Sequence, residues 1–197
     1  MVEFVKTLRE RTGEIREYSA FYWKDLPLLA DCLSENWNDP LSSRSSRHLT
    51  QRKMTEWKNL NSFIIRLTSK SFCPWLQLPI QEIRNALESP LSRGAVMECR
   101  IWVATEWIIR RGDVLLHRLT GENVNWRFAL SLATGPSCRN VRRLGIERWE
   151  YWKHTLQNIS NCYRSLALNY AVCLRIEDTF LRMSAFEREK AFLDRGH

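Results

Sequence analysis

No stretch of this sequence is long and apolar enough to cross a bilayer. A span needs about 18–20 residues without charge, and even the run from Ile101 to Ile109 is broken by Glu106. The expectation is therefore no membrane insertion. The amino-terminal run Met1-Val2-Glu3-Phe4-Val5-Lys6 carries charge where a signal peptide needs an apolar segment, so neither a secretory nor a transit peptide is expected. That places the chain inside the cell, in cytoplasm or nucleus. Cysteine pairs at metal or redox spacing are missing too: Cys32, Cys73, Cys99, Cys138, Cys162 and Cys173 form no C-x-x-C motif. Most sit among apolar neighbours on segments of helical period, which predicts reduced thiols packed in a core. Lacking as well are a G-x-S-x-G elbow, a P-loop and a G-x-G-x-x-G turn, so the common nucleophile and nucleotide signatures are excluded. No segment alternates as a half-buried strand does, and no self-similar period signals a solenoid.

What is present is bulk and positive charge. The 197 residues are 44% hydrophobic and include nine Trp, enough for one substantial core. Lys and Arg number 30 against 22 Asp and Glu, a formal charge of +8, with Arg predominating. Such a balance favours acidic partners without naming one.

Apolar spacing reads as helix along most of the chain. Phe4, Leu8, Ile15, Tyr18, Tyr22, Leu26, Leu29 and Leu33 recur at three, four or seven residues, and Pro27 suits the first turn of a second helical piece. From Asn38 to Gln51 the chain holds Pro40, four Ser, Arg44, Arg47 and His48 with little bulk, which predicts a mobile loop over 38–51. Met54, Trp57, Leu60, Ile64 and Leu67 then form a clean helical stripe. Ile80, Ile83 and Leu87 predict a helix that ends before Pro90, after which Ser92 offers an N-cap. The next helix, from Ala95 to about Arg111, is apolar around most of its circumference and belongs at the centre of a bundle; Gly112 interrupts or merely weakens it. The segment 122–145 is irregular. Ile146, Trp149, Trp152, Leu156 and Ile159 restore the period, and Leu166, Tyr170, Cys173, Leu174, Phe180 and Leu181 continue it in a last long helix. The fold class expected is all-α: one irregular multi-helix bundle over residues 1–197, with six to eight helices and no sheet.

Candidate chemistry is sparse. Asp113 with His117, and Glu150 with His154, are carboxylate–imidazole pairs one helical turn apart, but neither has the Glu-x-x-His spacing of a di-iron bundle. They read as solvated pairs, and no metal or cofactor is expected. From Asn38 to Lys70 seven basic side chains face two acidic ones, and Arg139, Arg142, Arg143 and Arg148 form a second basic cluster. Trp149 and Trp152 follow it as a stacking surface for nucleic acid requires. Their spacing on an apolar stripe nevertheless favours core packing, and no groove-reading motif accompanies them.

Two segments carry a resemblance. The run Trp57-Lys58-Asn59-Leu60-Asn61-Ser62-Phe63, and Gly135-Pro136 followed by Glu147-Arg148-Trp149-Glu150-Tyr151-Trp152-Lys153, resemble the main motifs of a family of small fungal proteins known as a domain of unknown function. Ser137-Cys138-Arg139 departs from that pattern, which commonly has an aromatic soon after Gly-Pro. The resemblance implies a helical fold and an intracellular fungal setting, and it implies no reaction. Within the motifs, packing accounts for Trp57, Leu60, Phe63, Leu67, Trp149 and Trp152 but not for Asn61, Arg66, Glu147 and Arg148. Those four are the candidate binding residues, with Arg139, Arg142 and Arg143 as a candidate basic surface. Glu147 is expected to pair with Arg66 or another cation. The leading functional expectation is a non-enzymatic module that binds another protein or regulates it. An accessory enzyme or binder of an anionic small molecule in fungal specialised metabolism is the first alternative, and a nucleic-acid or phosphate binder the second.

Overall fold

A computed structural model describes residues 14–15, 18–22, 27–42, 50–68, 77–121 and 132–195. The chain divides into two compact units, Met1–Leu67 and Thr68–His197.

The first unit begins with a departure from the all-helical expectation. Strands β1 (Glu14–Ile15) and β2 (Tyr18–Tyr22) pair antiparallel, with Glu14 opposite Tyr22 and Ile15 opposite Tyr18, and the register shifts between the two pairs. A few apolar residues at mixed spacings do not decide between helix and strand, and the aromatic-rich Tyr18-Ser19-Ala20-Phe21-Tyr22 suits a pleated ribbon. Helix α1 (Pro27–Asn36) does begin at Pro27, whose missing N–H has no partner to lose in a first turn. The Asn36 side chain donates to the Cys32 carbonyl at 2.7 Å, and Asp39 accepts from the Leu41 amide at 2.8 Å. Leu41 is buried. The start of the expected loop is thus tied down, while its centre, with Arg44 and Arg47, lies outside the described residues. Helix α2 (Gln51–Leu67) begins where the Thr50 hydroxyl accepts from the Lys53 amide, a side-chain cap for an otherwise orphaned donor. It buries Met54, Trp57, Asn61, Ile64, Ile65 and Leu67, and the Trp37 ring tilts against Trp57 at 4.7 Å between centroids.

In the second unit, α3 (Gln77–Leu87), α5 (Ile146–Asn161) and α6 (Tyr170–Leu193) all pack on α4 (Gly94–Thr120). The central place of α4 follows from its girth of apolar residues: Met97, Ile101, Val103, Ala104, Trp107, Ile108, Leu115 and Leu116 are all buried. Ser92 is not its cap. Arg93 holds that position without a side-chain bond, and the first amide, that of Gly94, donates instead to the Leu166 carbonyl at 2.9 Å. The helix continues through Gly112, with one break in helical geometry at Arg111. A Cβ at 112 would lie 2.6 Å from the Phe186 ring of α6, so any larger residue there must displace that ring. Between α5 and α6 the chain turns over 162–169, so Leu166 is not helical. Asn169 caps α6 by accepting from the Ala171 amide at 3.0 Å.

The last helix corrects the sequence reading most. Its buried side is Cys173, Ile176, Thr179 and Met183, whereas Tyr170, Leu174 and Leu181 face outward with Phe192 and Leu193. Ile146, expected on the inner stripe of α5, is also exposed. Cys99, Cys138 and Cys173 are buried thiols as expected, but Cys32 and Cys162 are exposed. Leu60, assigned to packing by its stripe, is only half-buried, and so is Trp102 on the central α4.

Candidate functional site

The polar centre of the second unit forms around Glu88, the residue that follows α3. Its own amide still donates to the Arg84 carbonyl at 2.9 Å, so the last turn of α3 aims its carboxylate inward. Opposite stands Arg148, in the first turn of α5. Both side chains are fully buried. Arg148 Nε donates to Glu88 Oε1 at 2.7 Å and Nη2 donates to Oε2 at 3.1 Å, the two-pronged geometry that makes such pairs strong. Its remaining N–H groups reach backbone carbonyls: Leu132 and Arg143 at 2.8 Å from Nη1, and Ala133 at 3.4 Å from Nη2. All five guanidinium donors are therefore used. The carboxylate is equally occupied, since Trp152 Nε1 donates to Oε1 and the Gly135 amide donates to Oε2, each at 2.7 Å.

This network joins α3, α5 and the segment 132–145. The Ser137 amide also donates to the Glu88 carbonyl at 3.0 Å, and the Tyr151 hydroxyl donates to the Ser137 carbonyl at 2.9 Å. Only glycine fits at 135, because a Cβ would collide with the Glu88 carbonyl. Cys138 lies beside the pair. Burial first, and then the Glu88 carboxylate, push its thiol up to about 11 against the opposing pull of Arg148, so it is no nucleophile at neutral pH. A buried ion pair with every donor and acceptor engaged leaves nothing poised for proton transfer or ligand binding.

Two further clusters lie nearer the surface. Glu106 of α4 accepts from Arg110 Nε and from Arg175 Nη2 of α6, both at 2.5 Å. Arg175 also donates to the Thr105 hydroxyl at 2.7 Å and lies 4.9 Å from the centroid of the Trp102 ring. Burial raises the Glu106 pKa, but the two arginine hydrogen bonds outweigh it and hold the carboxyl below its ordinary value. Further along α6, Glu187 accepts from Lys153 Nζ at 2.8 Å and from Trp149 Nε1 at 2.8 Å. Trp149 and Trp152 are thus core residues whose indole N–H groups each find a carboxylate.

Neighbouring candidate residues part company. Asn61, in the first unit, is buried and donates to the Trp57 carbonyl one turn back at 3.0 Å, while Arg66 on the same helix is exposed. In the second unit Arg148 is enclosed, but Glu147 is half-exposed and faces Arg142 Nε at 3.9 Å. Arg139, Arg142 and Arg143 are all exposed. Asp113 and His117 line an open groove of about 290 Å³ with Phe186, Glu189 and Lys190. His154 pairs with Asn158 at 3.2 Å. Among the described residues, no three His, Cys, Asp or Glu side chains gather as a metal site needs, and no helix is long and apolar enough to cross a membrane. Sequence reading missed Glu88, Gly135's contact, Glu106's pairing and Arg175. Of these, only Gly135 carried a sequence signal, the Gly-Pro motif; Glu88 carried none, because its partners lie about 50–60 residues away in sequence.

Fold and network together define a helical protein whose most distinctive motif supplies an internal ion-pair lock. The chain belongs to the family described as Protein of unknown function (DUF3632), whose model matches residues 1–156. Neither the curated proteins nor the solved structures yield a match. Helix α6 lies beyond the matched residues.

Proposed function

We propose that this protein is a non-enzymatic helical module that acts by binding another polypeptide. The observation that carries the reading is the outer row of α6, where Tyr170, Leu174, Leu181 and Phe192 are 59%, 50%, 68% and 73% exposed. A row of large apolar side chains along one exposed helix face has the character of an association surface. The saturated Glu88–Arg148 pair supports it from the other side, since the motif that most resembles a site spends its whole hydrogen-bonding capacity on the fold. Arg139, Arg142 and Arg143 supply exposed positive charge for acidic stretches of a partner.

Native mass spectrometry of the full chain purified from its own host tests this beside a Leu181→Asp variant. The expected outcome is a polypeptide retained by the wild type and lost from the variant at unchanged melting temperature. Retention of a small molecule or nucleic acid in place of a polypeptide, or equal retention by both chains, overturns the reading.

A further inference from the structure

The outer row of α6 has an internal symmetry that its position on the surface does not require. Tyr170 lies eleven residues before Leu181 and Phe192 eleven after; Leu174 and Arg188 lie seven before and seven after. At 3.6 residues per turn, all five side chains fall within about 20° of one line along the helix. All five are exposed, and the line lies opposite the buried side formed by Ile176, Thr179 and Met183. Within two turns of Leu181, exposed acidic and basic side chains are separated about the same centre. Glu177 and Asp178 lie on the amino-terminal side of Leu181, and Arg182 and Arg188 on the carboxyl-terminal side, every one of them exposed.

We infer that this row is the contact face of a homodimer in which a second copy of α6 packs antiparallel, with Leu181 on the two-fold axis. This rests on the reading of the row as a binding face and assigns its occupant. A two-fold contact must be self-complementary, and this one is. Leu181 meets the partner's Leu181, Tyr170 meets the partner's Phe192, and the aliphatic stem of Arg188 lies along the partner's Leu174. In an antiparallel pair, like flanks face each other across the seam. Asp178 then stands beside the partner's Arg182, and Glu177 beside the partner's Arg188, each pairing occurring twice. The parallel alternative stacks Arg188 on its own copy in the seam, where like charges repel. Heptad spacing of 174, 181 and 188 suits the shallow crossing of two long helices. From Tyr170 to Phe192 the face is about 33 Å long, so one helix pair buries an area at the small end of stable interfaces, about 1,200 Å². The dimer is accordingly reversible rather than obligate.

Sedimentation equilibrium of the purified full chain, from below about 1 µM to about 100 µM, tests the assignment on a range that brackets micromolar affinity. The wild type is expected to pass from monomer to dimer, and Leu181→Asp to raise the dissociation constant at least about tenfold while circular dichroism stays unchanged. The charge pattern is tested by mixing. Asp178→Arg and Arg182→Asp each place like charges across the seam and weaken self-association, but one of each restores complementarity, so their mixture should dimerise more tightly than either alone. A wild type that remains monomeric throughout overturns the inference, as does a dimer indifferent to Leu181→Asp or to mixing. Because only purified chain is present, that failure is separate from loss of a different polypeptide partner.

Discussion

Two carboxylates in the same unit, Glu88 and Glu106, each bind an arginine from a distant helix, yet they have different surroundings. Glu88 and Arg148 have no exposed surface, and their spare donors and acceptors end on backbone groups of 132–143 and on Trp152. Glu106 is nearly covered, but its partners reach water: Arg110 is half-exposed and Arg175 about a quarter exposed. The first pair therefore fixes where an irregular segment runs, because removing either charge strands the other without water. The second acts as a seam between α4 and α6 whose members can exchange protein contacts for solvent.

The largest expected effect comes from breaking the enclosed pair. Arg148→Met should lower stability by about 3–5 kcal/mol, since it leaves the Glu88 carboxylate buried without its cation. Urea denaturation measures it, and a loss under about 1 kcal/mol would show that the network does not lock the segment. An intermediate effect is expected at the seam, and it depends on pH. The Glu106 pKa is lowered in the folded chain, so its charged form contributes stability above the unfolded value of about 4.5 and loses that contribution as pH falls through the lower folded value. Melting temperatures of wild type and Glu106→Gln should therefore differ most near neutral pH and converge on acidification. Parallel curves would remove the seam as an electrostatic contact. The smallest effect belongs to Glu147→Gln, one residue from Arg148, because an exposed carboxylate 3.9 Å from an exposed guanidinium is worth within about 0.5 kcal/mol. A cost comparable to that of Arg148→Met would mean that Glu147 belongs to the buried network after all.

Much of the helical fold was legible because helices answer to local rules. The stripe Met54, Trp57, Ile64 and Leu67 needs only a period of 3.6, and Pro27 needs only a first turn, so both appear where the spacing predicts. The all-round apolar α4 announced a central helix for the same reason. Where local signals were thin or doubled, the reading failed. Strands β1 and β2 are too short for their alternation to show, and α6 carries apolar residues on two faces, so periodicity alone could not say which one the bundle covers.

Composition and spacing by themselves determined that the described helices dominate, that α4 is central, and that Trp149 and Trp152 share a buried face. Tertiary structure alone decided that Arg148 closes on Glu88, that Gly135 must be glycine, and that Leu174 and Leu181 look outward. The physical reason is reach: helical periodicity arises between residues three or four apart, whereas the partner of a buried charge is chosen by packing between segments some sixty residues distant.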